Sequence, residues 1–278
     1  MSSDPTVPED EMALAEKLPQ ADASSLIDRA VLEAQVRDMY RQVAREEEAE
    51  LHFAVGRPLA LRLGYPNELL DAIPAEALAS FAGVGYHFDL ASLSPGDEVL
   101  DLGSGSGTDV FCAALQVGSS GRVVGVDFTD EQIDKATRLR DRDGFAQAEF
   151  VEASIDALPF EAASFDAVVS NGVINLSPVK HRVFAEAARV LRPGGRLAIA
   201  DIVSGRPLKE RTRRNVELWA ACIAGAIPRQ SYLSALEDAG FRVEEVRVND
   251  YDFISERALD ACSTYGVESI SMGAVKAA

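Results

Sequence analysis

The sequence predicts an α/β fold with a mainly parallel sheet covered by helices, and three observations carry that expectation. Short apolar runs alternate with amphipathic helical runs through the middle of the chain, the first of them opens into a glycine cluster, and the second ends on an aspartate. Strands buried on both faces by crossover helices read in this way, because neither face can stay polar. With 278 residues, 47% of them hydrophobic, the chain is long enough to bury the core of one large domain.

Residues 1–24 are rich in Ser, Pro, Asp and Glu and too poor in large apolar side chains to offset ordering entropy, so they are expected to be a disordered acidic tail. From Ile27 to about Leu51 the apolar spacing is helical, with Leu32, Val36, Met39, Tyr40 and Val43 on one face and the Glu-rich run Glu46 to Glu50 on the other. Pro58, Gly64, Pro66 and Pro74 predict loops and turns from Gly56 to Pro74, then a brief helix from Ala75 to Phe81. Residues 25–82 thus read as an N-terminal helical cap, and residues 83–278 as the main domain. Within it the strands are expected at Glu98 to Leu102, Arg122 to Asp127, Ala148 to Glu152, Phe165 to Ser170 and Arg196 to Asp201, with helices between them. A basic helical segment from Pro207 to Gly225, inside an insertion at 206–229, precedes a helix at Gln230 to Ala239. Two strands, Arg242 to Asp250 and Glu268 to Val275, would close the sheet as a hairpin-like edge.

Charge and cysteine usage exclude several classes. Forty-five acidic residues against 27 basic ones give a net charge of −18, which argues against a nucleic-acid backbone as partner, since phosphate binding needs a basic surface. No apolar run reaches the roughly 18 to 20 residues that span a bilayer, and MSSDPTVPEDEM lacks the basic and apolar regions of a signal peptide. A cytoplasmic protein without membrane contact is expected; the oligomeric state is not legible. Cys112, Cys222 and Cys262 are too irregularly spaced for a disulfide framework or a metal knuckle, so no metal is expected.

The glycine loop separates the remaining ligand classes. A dinucleotide fingerprint wants G-x-G-x-x-G, whereas Asp101 to Asp109 reads D-x-G-x-G-x-G with Thr108 in the last glycine's place. That pattern, the aspartate Asp127 twenty residues after Gly107, the segment Ala153 to Phe160 and the run Val190 to Gly195 together resemble the class I S-adenosylmethionine (SAM) methyltransferases. The resemblance implies a Rossmann-like fold with a mainly parallel seven-stranded sheet, and SAM as cofactor. It implies that Gly103, Ser104, Gly105 and Gly107 let backbone lie against the methionine moiety, that Asp101 meets its ammonium group, and that Asp127 accepts the ribose hydroxyls. Phe128 and Thr129 would line an adenine face, with core packing an equal reading of Phe128, and Ser154 and Ile155 would meet the adenine edge. Asn171 is placed with the cofactor residues.

Val169 to Pro178 reads VSNGVINLSP and is similar to the V-I-S-N-C-V-I-N-L-S-P motif of the arsenite methyltransferase-like family. Leu63 to Tyr65, Gly83 to Gly85, Phe111 to Ala114, the VGVDFTDE strand end and Ala221 to Ala226 extend the resemblance from about Tyr40 to Phe241. In that family three thiolates hold trivalent arsenic as a pyramidal centre. The corresponding positions here are Val84, Gly172 and Cys222, so one sulfur remains of three. The resemblance therefore implies a SAM methyltransferase with a reshaped acceptor pocket, acting on a small organic molecule in specialised metabolism. Arsenite or thiol methylation through Cys222, and a SAM-binding subunit without catalysis, are the alternatives. A base methyltransferase would want [DN]-P-P-[YF] where Asn171 to Ile174 stand.

Methyl transfer needs alignment, exclusion of water and, for a protonated nucleophile, a base. His87 beside Tyr86 has the right pKa range for that base, or is a satisfied loop histidine; His52 is a second candidate. Tyr40 either caps the sulfonium or fills the helix–sheet interface. Arg206, Lys209, Arg211, Arg213 and Arg214 form the one basic cluster. It is a solvated helix face, or a pocket for a phosphate, diphosphate or carboxylate with Arg206, Arg213 and Arg214 as its ligands. Cys222 is core packing or a substrate ligand.

Overall fold

In the computed structural model, residues 22–45, 54–215, 218–219, 222–254 and 256–277 are described. His52, the Glu46 to Glu50 run and nearly all of the expected acidic tail lie outside them. One seven-stranded sheet organises the chain: β1 (Glu98–Leu102), β2 (Arg122–Asp127), β3 (Ala148–Glu152), β4 (Phe165–Asn171), β5 (Leu191–Val203), β6 (Phe241–Val248) and β7 (Glu268–Lys276). Their spatial order is β3-β2-β1-β4-β5-β7-β6. The first five are mutually parallel, and β7 runs antiparallel between β5 and β6. The order reverses at β1, where the chain leaves for β2 on one side and β4 lies on the other. A parallel sheet opens a ligand crevice at the carboxyl ends of such strands.

Alternation along β1 shows how the two faces are filled. Val99 joins Val110, Phe111 and Val123 under the helix Thr108–Val117, whereas Leu100 and Leu102 join Val124, Val168, Val183 and Phe184 under the helix Lys180–Val190. Asp101 falls on the Val99 side and is 2% exposed. The one polar residue in the strand's interior is therefore carried into the crevice by the same period of two that buries its neighbours. A third apolar cluster lies at the carboxyl edge, where Leu32 and Val36 of the covering helix Arg29–Arg45 meet Val84, Leu176, Trp219 and Cys222.

Several expected elements differ. The stretch from Gly56 to Pro74 contains the helices Gly56–Arg62 and Asn67–Asp71. Pro58 sits in the first turn of one, and Pro66 and Pro74 are N-caps, positions where a missing N–H removes no helical bond. The prolines therefore start helices. Among its described residues the basic segment is helical at Glu210–Arg213 and again at Leu218 and Trp219. The last two strands do pair, but with the helix Glu256–Tyr265 between them and β7 rather than β6 against β5. Among the described residues no helix is long and apolar enough to cross a membrane.

Candidate active site

Two adjoining cavities, of about 70 and 280 Å3, open at the switch point and share Val36, Gly103, Asp127, Phe128, Val173 and Leu176 as walls. The smaller runs along the glycine loop past Asp101, Ser104, Gly105 and Tyr40. The larger lies under the covering helix, against Ser154, Ile155 and Asp156. Shared walls make them two lobes of one site.

Gly103 holds φ +75°, and a Cβ there would fall 2.5 Å from the Val173 Cβ, so only glycine lets the loop pass under the β4 turn. Gly107 differs from what the sequence implied. It lines neither lobe, and a Cβ would strike Phe150 at 2.7 Å and Phe111 at 2.9 Å, so it is glycine for helix–sheet packing. Asp127 receives the Gly105 N–H at 3.0 Å and the Thr129 N–H at 2.9 Å, which fixes its carboxylate at the junction of the lobes. Burial pushes its pKa up, against the opposing pull of those hydrogen bonds.

Within the crevice several polar groups lack partners. Among the described residues the Asp101 carboxylate accepts no hydrogen bond, and burial, with the charges of Asp109 and Asp127, holds its pKa well above the usual carboxylate range. Ser104 Oγ and Thr129 Oγ1 are buried without a partner. Such groups are rare in folded proteins, because each forfeits its hydration. A ligand with an ammonium group at the Asp101 end and hydroxyls near Asp127 supplies what they lack, and SAM has that layout.

At the far end of the larger lobe, Ser154 donates its hydroxyl to Asp156, whose carboxylate also takes Arg29 Nη1 at 2.7 Å and Nη2 at 3.0 Å. Asp156 and Arg29, neither singled out in the sequence, thus latch the covering helix beside Ser154. Arg41 makes a second latch to Glu131 at 2.7 Å and Asp130 at 3.2 Å. Gln132 ties the same helix to the glycine loop, donating to the Tyr40 carbonyl at 3.0 Å and accepting from Ser106 Oγ at 2.5 Å.

Asn171 borders the smaller lobe, but its side-chain amide is engaged within the fold. Its oxygen accepts from Val84 N at 2.7 Å and Gly85 N at 3.3 Å, and its nitrogen donates to Tyr65 Oη, the Gly85 carbonyl and Asp109 Oδ2, each at 3.0 Å. From the wall of the smaller lobe, Asn171 thus clasps the 83–85 turn. Buried partners stranded by its removal lose about 1 to 3 kcal/mol each. Asn171→Ala is expected to lower unfolding free energy in urea by about 2 to 3 kcal/mol, and a loss below about 1 kcal/mol would show that the turn is held otherwise.

The expected bases move out of the site. His87 is wholly buried, stacks on Phe88 at 4.7 Å between centroids, and lines neither lobe. Burial holds its pKa below the usual imidazole range. Tyr86 packs edge-on against Tyr65 at 4.9 Å and also lines neither lobe. Gly85 is pressed between Ala200, Ser271 and Asn249, and the chain beyond it turns into the helix Phe88–Ala91, which takes both rings away from the crevice. Tyr40 does reach the smaller lobe, and its phenol hydrogen-bonds the Cys222 thiol.

The basic cluster splays. Arg206 is exposed and donates to the Thr264 carbonyl at 2.5 Å, and Arg214 is exposed and pairs with Glu210. Arg213 alone turns inward, with its carbonyl accepting from Trp219 Nε1 at 2.6 Å. With two of the three side chains exposed and the third buried, they do not converge on one ligand, and the anion-pocket reading loses its geometry.

Cys222 is 7% exposed, sits at φ +60°, and burial pushes its thiol up to about 12. Its carbonyl accepts from Asn175 Nδ2 at 2.7 Å, while Lys180 Nζ holds the Asn175 carbonyl at 2.9 Å and the Ser177 carbonyl at 2.8 Å. Asn175 thus joins the cofactor-side loop to the Cys222 turn. Val84 belongs to the same apolar cluster, and a Cβ on Gly172 would lie 3.4 Å from Val84 Cγ1. Among the described residues no group of three His, Cys, Asp or Glu could hold a metal ion.

Residues 93–240 match the methyltransferase-domain family. The chain belongs to the class I SAM-dependent methyltransferases. Within that class it falls in the arsenite methyltransferase-like family. It is 39% identical to an arsenite methyltransferase of Halobacterium salinarum over 197 residues, covering 70% of this chain and 50% of that one. It is 42% identical to one from Aquipseudomonas alcaligenes over 166 residues, covering 57% of this chain and 47% of that one. The solved arsenic(III) S-adenosylmethionine methyltransferase from Chlamydomonas reinhardtii superposes with a TM-score of 0.59 at 30% identity, covering 81% of this chain and 75% of that one. The chain spans about half the length of the curated relatives it matches.

Proposed function

We propose that the protein transfers a methyl group from SAM to a small organic acceptor in the cytoplasm, with residues 83–278 carrying the site and the 25–82 region covering it. The observation that carries this reading is the acceptor wall. Where the family places three sulfurs, this chain has Val84, Gly172 and a single thiol whose pKa is raised to about 12. One sulfur of three cannot hold trivalent arsenic in a pyramidal site.

When bound, SAM supplies an electrophilic methyl on a sulfonium centre. Asp101 would receive its ammonium group, Asp127 its ribose hydroxyls, and the Gly103 to Ser106 backbone would lie along the methionine chain. Phe128, Thr129, Ser154 and Ile155 would flank the adenosine. The covering helix excludes water, through Leu32 and Val36, from the space where the acceptor must line up. Tyr40, whose phenol burial holds well above its usual pKa, lines the smaller lobe, and Tyr251 packs against the same apolar cluster. Their aromatic surface suits an organic acceptor. A Saccharopolyspora erythraea erythromycin 3''-O-methyltransferase, 35% identical over 170 residues, shows that such chemistry occurs among the relatives.

Arsenite methylation is the second reading, favoured by the identity to arsenite methyltransferases. Incubation with labelled SAM separates the two. Label should enter an organic acceptor from a panel of phenols, alcohols and amines, and arsenite with glutathione should give no methylated arsenic. Methylated arsenic lost in the Cys222→Ser variant would reverse the order.

A further inference from the structure

Three arginines of the covering helix, Arg29, Arg37 and Arg41, are not equivalent. Arg29 pairs with Asp156 and Glu33, and Arg41 pairs with Glu131, Asp130 and Asp38. Arg37 lies between them and, among the described residues, has no ion pair and no hydrogen bond. Its guanidinium carbon stands 5.2 Å from the centroid of the Phe128 ring. Its Nε is buried and lacks an acceptor, and the residue lines the larger lobe.

In a chain with 45 carboxylates an arginine on this face could readily find a partner. A solvated surface cation would have its Nε in water, and here that atom is covered. A cation over a phenyl ring gains something from the ring's quadrupole, but the N–H that points elsewhere still forfeits its hydration. The missing partner is an acceptor that arrives with the ligand. The lobe below Arg37 is bounded by Asp127, Phe128, Ser154 and Ile155. A guanidinium both stacks on a planar heterocycle and donates in its own plane, and an adenosine group offers that flat surface together with ring-nitrogen and ribose-oxygen acceptors.

We propose that Arg37 is a cofactor-binding residue that donates a hydrogen bond from the covering helix to the adenosine moiety. This rests on the reading of the crevice as a SAM site. The adenosine end is then held from the sheet by Asp127 and from the covering helix by Arg37.

The test uses the full chain, S-adenosylhomocysteine and 5'-methylthioadenosine, which keeps the adenosine but lacks the amino-acid end. Met matches Arg in helix propensity and keeps an unbranched apolar stem, so Arg37→Met removes the donor with little disturbance of the helix. Calorimetry is expected to show both ligands weakened about tenfold in Arg37→Met, the size of one charge-assisted hydrogen bond, with Arg37→Lys between it and wild type. The melting midpoint of the ligand-free variant should stay level or rise, because a donor without a partner is lost.

Three results overturn the proposal. The affinities of Arg37→Met could stay within about twofold of wild type, below any hydrogen bond's contribution. Only S-adenosylhomocysteine could weaken, which places the donor at the amino-acid end. Or the ligand-free midpoint could fall by several degrees while affinity holds, the mark of a structural residue. Failure of the wild type to bind S-adenosylhomocysteine is a separate result and overturns the cofactor reading itself.

Discussion

Asp101→Asn is expected to weaken S-adenosylhomocysteine binding by about 100-fold, which corresponds to about 2.7 kcal/mol, while making the ligand-free protein more stable at pH 8. Both effects follow from one carboxyl group that the fold buries without a hydrogen-bond partner among the described residues. Its pKa is raised in the folded protein, so above about pH 4 the folded state binds a proton that the unfolded chain has released. Stability from this group is therefore full below the unfolded pKa and falls as pH rises from there through the raised folded value. Asparagine keeps the shape and removes the titration. The variant and wild type should melt together near pH 4 and diverge as pH rises, with the variant higher.

The same proton couples to ligand binding. An ammonium group placed against Asp101 favours the ionised form, so the wild type should release a proton on binding at pH values below the raised pKa. Calorimetry in two buffers of different ionisation enthalpy reads that proton directly, and the variant should lack it. Affinity within about threefold of wild type, less than half of what one charged hydrogen bond contributes, would remove Asp101 from the ammonium site.

This carboxylate is legible in the sequence because it stands in a strand. A period of two around Val99, Leu100 and Leu102 fixes which side Asp101 faces, and glycines at alternate positions directly after a buried strand suit a turn whose backbone must approach a ligand closely. Gly107 shows the limit of that logic, since its pattern is part of the motif but its reason is Phe150, 43 positions later in the chain. His87 departs from its sequence reading for a similar cause. Its residue type suggests a base, whereas the turn at Gly85 sends it into the core, and that turn depends on Asn171, Ala200 and Ser271 from three other places. Arg37 gives no signal at all. A lone arginine on an amphipathic helix reads as solvated, and only the position of that helix over Phe128 makes its unpaired Nε visible. Local periodicity carries the strands and the loop they present. Side chains brought in by long-range packing, Asn175 and Lys180 among them, cannot be read from spacing.

Restoring sulfur at Val84 and Gly172 is expected to convert the acceptor wall into an arsenic site. The combined Val84→Cys and Gly172→Cys variant, with Cys222 retained, should bind arsenite at least about 100-fold more tightly than wild type, because each added thiol on a rigid wall binds at high effective concentration. Geometry permits the change at a moderate penalty. Gly172 holds φ +79°, which charges a side chain about 1 to 2 kcal/mol. The Cβ it acquires would lie 3.4 Å from Val84 Cγ1, and exchanging the branched Val84 side chain for cysteine frees one of the two methyl positions there. Arsenic binding deprotonates its thiols, so Cys222 need not be a thiolate beforehand, and the affinity should increase with pH. Trp219 is the only tryptophan and packs in the cluster that holds Val84 and Cys222, so its fluorescence should report binding without a label. Each single-cysteine variant, with two thiols, should fall well short of the three-thiol form. Equal affinity in the single and combined variants would mean that the three positions do not converge. Tight arsenite binding by the wild type would show that Cys222 has thiol partners other than these positions, and would return arsenite to the front as the natural acceptor.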